Sequence, residues 1–167
     1  GHTSIYTGAV PSIHGIQANN FLLNGKMTYC TADSTVSGVG TDSKAGQMSP
    51  RNMLTTTIGD ELKVATNFKS RVFGVSIKDR AAILPAGHAA DAAYWIDSKQ
   101  SKFITSNYYM KQLPTWVEKY NKKISKYTSD QISYSPVGNE VTIDMAKNVI
   151  SNEKLGQQGE TDMLCVS

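Results

Sequence analysis

Two cations, Lys78 and Arg80, flank Asp79 directly after the apolar, β-prone stretch 72–77. Such a stretch is typical of a buried parallel strand, and ligands of open α/β sheets bind beyond the carboxyl ends of these strands. If the chain stays extended past residue 77, Lys78 and Arg80 lie on one face. Neighbouring cations repel each other unless an anion lies between them, so the pattern indicates an anion site. The alternative is a solvated turn, which on spacing alone is the more common case because charged clusters often follow strands.

No other set of side chains forms a recognisable catalytic pattern. The histidines, His2, His14 and His88, lack zinc-finger spacing and a second ligand four residues along. His88 and Asp91 come nearest to a metal pair, but a buried, hydrogen-bonded imidazole is the more common role for such a histidine. The sequence has no Gly-x-Ser-x-Gly elbow, phosphate-binding loop, Cys-x-x-Cys pair or dinucleotide fingerprint. The residues alone therefore predict a place for an anion and no catalytic centre.

Length and composition are those of one ordinary domain. The 167 residues are 40% hydrophobic and 19% charged, which excludes a disordered chain and a coiled coil. A net charge of +3 is too small to indicate nucleic acid, and no apolar run is long enough to span a membrane. Cys30 and Cys165 are too few for a disulfide framework, and Cys165 is predicted to be a small core residue. Because the chain begins at Gly1 without an initiator Met, we expect a piece of a longer protein.

The elements that must position Lys78 and Arg80 alternate between helix and strand, which predicts an α/β layer. A capping Ser49 followed by Pro50, with apolar residues at helical spacing, predicts an amphipathic helix before the central strand. The predicted elements are a helix within 2–10 that stops near Gly8 and Pro11, a turn over 11–16, a loop at 19–20, an edge strand at 26–30, helix 50–67, strand 72–77, a hairpin of 92–97 with 102–106, a helix from Pro114 to about 122, a helix that follows Gly138-Asn139 and runs to about 151, and a buried strand at 162–167.

Motifs along nearly the whole chain resemble one branch of the alkaline phosphatase superfamily. The segment 1–8, with Pro11, His14-Gly15-Ile16 and Asn19, is similar to the segment that follows the nucleophile in type I phosphodiesterase/nucleotide pyrophosphatases and their phosphatase relatives. Ser76-Ile77-Lys78-Asp79-Arg80 resembles the periplasmic, phosphate-insensitive bacterial alkaline phosphatases. Further motifs of that branch are 84–88, 92–95, 103–110, Ser135-Pro136-x-Gly138-Asn139, Leu155-Gly156 and 161–167. The resemblance favours the anion site over the solvated turn.

The resemblance implies a partial α/β/α sandwich, a single partial domain over residues 1–167 that forms the substrate-binding portion of a larger phosphatase. The family carries two zinc ions and a Thr nucleophile. By the motifs, the nucleophile is expected before Gly1 and the Asp-x-x-x-His zinc ligands after Ser167, so no metal ligand is assigned here. Asn19, Lys78 and Arg80 match the family's non-metal phosphate contacts and are the expected catalytic and substrate-binding residues. The resemblance also implies a periplasmic or secreted protein.

The sequence departs from the family between the helix near residue 120 and the Ser135 motif. The family usually has a longer segment there, whereas residues 127–131 join the two parts abruptly. Either residues are missing from this sequence or this member is shortened.

The function that this resemblance implies is hydrolysis of small phosphate monoesters, with zinc and a nucleophile from outside the chain. A monoester carries one more negative charge than a diester, so a second cation at Lys78 favours monoesters. A type I phosphodiesterase/nucleotide pyrophosphatase is the alternative within the enzyme class, and a non-catalytic oxyanion-binding module is another. We predict that the 167-residue chain alone is inactive, and that Asp79 anchors the loop and does not touch substrate.

Overall fold

The structure is a computed structural model that describes all 167 residues. Seven α-helices and seven β-strands follow one another along the chain, with a short 3₁₀ helix at Lys44–Gly46. In chain order they are α1 (His2–Thr7), α2 (Pro11–His14), β1 (Asn20–Leu23), β2 (Lys26–Tyr29), β3 (Gly38–Val39), α3 (Ile58–Ala65), β4 (Val72–Val75), α4 (Asp79–Ala86), β5 (Ala92–Asp97), β6 (Lys102–Ser106), α5 (Thr115–Ile124), α6 (Ser129–Tyr134), α7 (Pro136–Glu153) and β7 (Met163–Val166).

A five-stranded mixed sheet in the order β3-β6-β5-β4-β7 forms the middle layer. The strand β4 is parallel to both neighbours, β5 and β7, whereas β5 and β6 form the predicted antiparallel hairpin. All four residues of β4 are buried, as its unbroken apolar sequence predicts. The strand β7 was predicted to be buried but lies at the edge of this sheet, where only Cys165 is buried.

Helices cover both faces of this sheet, so the architecture is an α/β/α sandwich, as predicted. On one face, α4 packs under β4 and β5 and its apolar residues join Trp95 and Ile104 in a core cluster. On the other face, α5, α6 and α7 cover a larger core that includes Phe73, Tyr94 and Phe103. A separate two-stranded sheet, β1 with β2, lies outside the sandwich. The predicted strand at 26–30 is therefore confirmed as β2, but its partner β1 was not predicted.

Close contact between β4 and α4 depends on Gly74. A β-carbon at this position would collide with the carbonyl oxygen of Ala82 in α4. Since α4 begins at Asp79, only four residues after β4 ends, this close packing also fixes where the start of α4 lies relative to the sheet.

The helix predicted over 50–67 begins later than expected. It starts at Ile58, where Thr57 and Asp60 form a reciprocal capping box. The expected cap, Ser49, instead donates its hydroxyl to Asp33 at 2.6 Å and starts no helix. The apolar spacing was misleading because Leu54 is 73% exposed, while Met53 is buried in a cluster beside the β1–β2 hairpin.

Other boundaries differ by a turn or less. The first helix ends at Thr7, before a left-handed Gly8, as predicted. The predicted turn over 11–16 contains the one-turn helix α2. The helix near the C-terminus starts at Pro136 and so includes Gly138 and Asn139. The abrupt junction at 127–131 contains the start of α6, capped by Thr128 and Gln131.

Candidate phosphate-binding site

Lys78 and Arg80 follow β4 but do not lie on an extended tip. Lys78 has extended backbone angles and is the N-cap of α4, so Arg80 is the second residue of a helix. The expectation that both side chains point the same way from an extended chain is therefore wrong, because the helical turn replaces the two-residue alternation. The two cations instead line adjoining cavities, and only Arg80 contributes to both.

The first cavity brings Asn19 and Arg80 together. It has a volume of about 180 Å³ and lies between the N-terminal segment and α4. Most of its lining is polar, and the other lining residues are Gly1, His2, Thr3, Ser4, Pro11, His14, Ile16, Gln17, Ala18, Cys30 and Leu84. Residues 61 positions apart in sequence, both predicted to contact phosphate, thus border one space.

The second cavity is lined by Lys78 and shares Arg80 with the first. Its volume is about 260 Å³, and much of its wall is apolar. The remaining lining residues are Tyr29, Ala45, Met48, Ile77, Asp79, Trp95, Ile96, Ser98 and Ser133. The structure therefore places Lys78 beside, and not within, the cavity that Asn19 and Arg80 share.

Neither cation is neutralised by a carboxylate. The five ion pairs of the structure involve Arg51, Lys63, Lys69, Arg71 and Lys123. Lys78 is exposed, and Arg80 makes one side-chain hydrogen bond, to the Tyr29 hydroxyl at 3.1 Å. A guanidinium has five N–H donors, so most of those on Arg80 are free for a ligand. Both charges are thus available to an anion.

Asp79 is occupied by protein contacts. Its Oδ1 accepts hydrogen bonds from the Tyr29 hydroxyl at 2.7 Å and from the backbone N–H of Arg80 at 2.7 Å. Its Oδ2 accepts from the Thr31 hydroxyl at 3.2 Å. These contacts tie the start of α4 to β2 and the residues after it, which is the anchoring role predicted for this carboxylate.

Tyr29 is the residue of this site that the sequence did not reveal. It lies at the end of β2, and its hydroxyl joins Asp79 to Arg80. Burial, followed by the negative charge of Asp79, raises the pKa of Tyr29 to about 12. The hydrogen bond from Arg80 to Tyr29 in turn raises the pKa of Arg80. No spacing rule connects a tyrosine in an edge strand with residues fifty positions later, so only the fold shows the contact.

The two ends of the described chain meet beside this site. The ring of His2, through Nε2, lies 3.1 Å from the hydroxyl of Ser167, and the backbone N–H of Ser167 bonds to the carbonyl of Val75 at the end of β4. Gly1 and His2 also line the cavity that contains Asn19 and Arg80. The first and last residues therefore lie at the same edge of the sheet as the candidate contacts.

His14 is the buried histidine of the chain, and the expectation for His88 was wrong. His14 is 1% exposed, its Nδ1 accepts the Ile16 N–H at 3.1 Å, and its Nε2 bonds to Ser4 at 3.0 Å. His88 is half-buried and its ring makes no hydrogen bond, while Asp91 bonds to Lys63.

No group of three or more His, Cys, Asp or Glu side chains is arranged to hold a metal ion. The residues present therefore do not fit a zinc site, and we assign no chemical step to a metal.

Comparison with known proteins identifies the family. The family model described as "Type I phosphodiesterase / nucleotide pyrophosphatase" matches residues 1–167. The chain belongs to this family. Among curated proteins, it is 42% identical to alkaline phosphatase PhoV of Synechococcus elongatus over 217 positions and 41% identical to alkaline phosphatase PafA of Elizabethkingia meningoseptica over 219 positions. It is also 41% identical to a calcium-transporting ATPase of Myroides odoratus over 220 positions.

Each of these matches includes all of this chain but only 40% of the relative. The matched regions also contain more positions than the 167 residues of this chain, so the relatives have additional residues inside them. That such a difference lies at residues 127–131, either because residues are missing from this sequence or because this member is shortened, stays a prediction.

The crystal structure of wild-type alkaline phosphatase PafA has the same fold over the matched part. The TM-score is 0.92 at 39% identity, and the match covers 98% of this chain and 41% of the PafA chain. The prediction of a partial alkaline phosphatase-like fold is confirmed. No helix of the chain is long and apolar enough to cross a bilayer.

Proposed function

We propose that residues 1–167 form the phosphate-binding portion of a zinc-dependent phosphomonoesterase of the alkaline phosphatase type. The observation that carries the proposal is the shared cavity of Asn19 and Arg80, with the unpaired cation of Lys78 beside it. The relatives named alkaline phosphatase support the assignment. In this proposal the Thr nucleophile and the ligands of two zinc ions come from outside the matched segment, and the protein acts in the periplasm or after secretion.

The three side chains suit the charge that develops in phosphoryl transfer. Negative charge spreads over the non-bridging oxygens, and fixed donors directed at those oxygens stabilise the transition state. Arg80 offers a planar fork that can bind two oxygens, and Asn19 offers an amide N–H for a third position. Lys78 supplies a point charge at the rim. These roles use only groups that line two adjoining cavities.

The choice between monoester and diester depends on Lys78. A monoester dianion uses a second positive charge fully, whereas a diester carries a single negative charge and a second organic group. The apolar wall beside Lys78, with Met48, Ile77 and Trp95, is the observation that favours the alternative, a phosphodiesterase, because it offers space for that second group. A non-catalytic oxyanion-binding module remains the other candidate function.

Kinetics of single variants in the full-length protein test the proposal. We expect Lys78→Ala and Arg80→Ala each to lower kcat/KM for p-nitrophenyl phosphate by about 10²–10³, since each removes a charge-assisted donor. In the same two variants, the loss of kcat/KM for the diester bis-p-nitrophenyl phosphate should be smaller. Asp79→Asn should leave the ratio of kcat/KM for monoester to kcat/KM for diester nearly unchanged. Lys111→Ala is the matched control, because Lys111 is exposed and has no ion pair. Equal losses for both substrates in Lys78→Ala contradict the monoesterase assignment.

Zinc and phosphate binding separate the enzyme from the binding module. We expect the 167-residue chain alone to show no hydrolysis and to retain no zinc after dialysis, and the full-length protein to retain zinc and hydrolyse the monoester. A full-length protein that binds inorganic phosphate in calorimetry but hydrolyses neither ester supports the non-catalytic module instead.

A further inference from the structure

We infer that Tyr29 is a positioning residue that holds the Arg80 guanidinium at a fixed place relative to Asn19. This inference rests on the proposed function and extends it to a residue outside the three phosphate contacts. It starts from one hydroxyl group that links two elements of the site.

The β1–β2 hairpin fixes Tyr29 beside Asn19. Tyr29 pairs with Asn20 in the register of the hairpin, and the N–H of Cys30 donates to the carbonyl oxygen of Asn19 at 2.8 Å. The backbone of Asn19 and the ring of Tyr29 therefore belong to one hydrogen-bonded unit. A group that is held by Tyr29 is also held relative to Asn19.

The Tyr29 hydroxyl has a defined direction. A phenol has one proton to donate, and an ionised carboxylate can only accept, so the proton points to Asp79 Oδ1 at 2.7 Å. A lone pair then accepts from the Arg80 NH1 group at 3.1 Å. Because Asp79 Oδ2 is held separately by Thr31, the carboxylate that orients the hydroxyl is itself fixed. The chain of contacts thus restrains one edge of the guanidinium and leaves its other donors free.

Two further observations fit a positioning role. Arg80 lines both cavities, so which cavity receives its charge depends on how its side chain is held. The raised pKa of Tyr29, about 12, keeps the hydroxyl protonated in moderately alkaline solution, so the direction of its proton towards Asp79 does not change there.

A double-mutant cycle in the full-length protein tests the inference. Tyr29→Phe is measured with Arg80 present and in an Arg80→Ala background, using kcat/KM for p-nitrophenyl phosphate and the inhibition constant of inorganic phosphate. We expect Tyr29→Phe alone to lower kcat/KM about tenfold and to weaken phosphate inhibition similarly. In the Arg80→Ala background the same change should cost less than twofold, because the group that Tyr29 positions is gone.

One distant control and two variants of the same contact chain separate positioning from stability. Thr31→Val removes the other hydroxyl on Asp79, and its loss of kcat/KM should be smaller than that of Tyr29→Phe and should also shrink in the Arg80→Ala background. Tyr120→Phe removes a hydroxyl that donates to Val141, away from the site, and should leave kinetics unchanged. Asp79→Asn keeps the Tyr29 ring and provides a second cycle with Arg80→Ala if Tyr29→Phe fails to fold, and its smaller loss should also depend on Arg80.

The outcomes distinguish the inference from the proposed function. Equal losses in the two Arg80 backgrounds, or no loss from Tyr29→Phe, overturn the positioning role while phosphatase activity of the wild type still supports the proposed function. A wild-type protein that hydrolyses no phosphate ester overturns the proposed function and, with it, the role assigned to Tyr29.

Discussion

Replacing Asp97 by asparagine tests how the loop after β3 is held against the β5–β6 hairpin. The Asp97 side chain is fully buried, and its Oδ2 accepts hydrogen bonds from the hydroxyls of Thr41 at 2.6 Å and Ser43 at 2.8 Å. Its Oδ1 accepts the Lys99 N–H at 2.9 Å. The same loop receives the indole N–H of Trp95, so it forms part of the wall of the Lys78 cavity.

The expected loss of unfolding free energy in Asp97→Asn follows from the number of donors that Asp97 binds. A hydrogen bond to a charged group is worth about 1.5–3 kcal/mol, and an unsatisfied buried donor costs about 1–3 kcal/mol. The amide that replaces the carboxylate keeps one acceptor oxygen. Whichever way the amide turns, either the hydroxyls of Thr41 and Ser43 or the N–H of Lys99 therefore lose their acceptor. We therefore expect Asp97→Asn to lower the free energy of unfolding by about 2–4 kcal/mol at neutral pH.

The loss should depend on pH. Burial opposes ionisation of Asp97, but the hydroxyls of Thr41 and Ser43, the Lys99 N–H and the charge of Lys102 outweigh it and hold its pKa below the ordinary 3.8. The folded state then binds fewer protons than the unfolded state near that value. The stabilisation is therefore complete above about pH 4 and disappears as the pH falls through the lowered pKa.

Urea unfolding followed by circular dichroism at pH 7 and pH 3 measures this difference. The deficit of Asp97→Asn should be larger at pH 7 than at pH 3, in the direction that the lowered pKa of Asp97 requires. Asp42→Asn is the matched control, since Asp42 is exposed and its side chain makes no hydrogen bond. A deficit below about 0.5 kcal/mol, or one that is the same at both pH values, refutes the argument that charged hydrogen bonds hold this loop.

Three further changes have defined expectations. Gly74→Ala should lower the free energy of unfolding by about 3 kcal/mol or more in urea titrations, because its β-carbon would collide with the Ala82 carbonyl, and an unchanged midpoint would contradict that contact. Burial lowers the pKa of His14, so stability should fall as the pH drops below the ordinary 6.5 towards the lowered value, and thermal melts of His14→Gln should lack that dependence. Trp95→Phe loses the hydrogen bond to the Ala45 carbonyl and should lower the melting temperature while turnover stays within twofold, whereas a large loss of turnover at an unchanged melting temperature would show a direct role in the site.

Helices and strands could be predicted from the sequence where local patterns and tertiary packing agree. The unbroken apolar run of β4 and the turn between β5 and β6 predict both elements, and the structure has them within two residues. The start of a helix could not be predicted where a side chain that usually caps a helix is bound to a residue elsewhere in the fold. Ser49 is such a case, because its hydroxyl is bound to Asp33. Helix α3 therefore begins only at Ile58, after the capping box of Thr57 and Asp60. A single sequence does not show which of two possible caps is already occupied.

The same limit applies to the site. Asn19 and Arg80 were predicted from motifs, and the fold places them on one cavity. The predicted arrangement of Lys78 and Arg80, with both side chains on one face, was wrong. It assumed that the extended chain of β4 continues past residue 77, whereas Lys78 is the N-cap of α4. Whether the chain turns at residue 78 depends on how closely α4 packs on β4, and that distance is set by Gly74 and Ala82 across the interface.

The position of Asp79 between two cations also has a physical explanation that the sequence hides. A carboxylate beside Arg80 would ordinarily pair with the guanidinium and cancel the charge that an anion needs. The hydroxyls of Tyr29 and Thr31 instead occupy both oxygens of Asp79, and Arg80 bonds to the neutral Tyr29 hydroxyl. Asp79 can therefore stabilise the start of α4, where a negative charge is favourable, while Arg80 keeps its charge for a ligand. In the proposed site, the charge of Arg80 thus stays free beside a carboxylate because two neutral hydroxyl groups from a separate part of the chain bind Asp79.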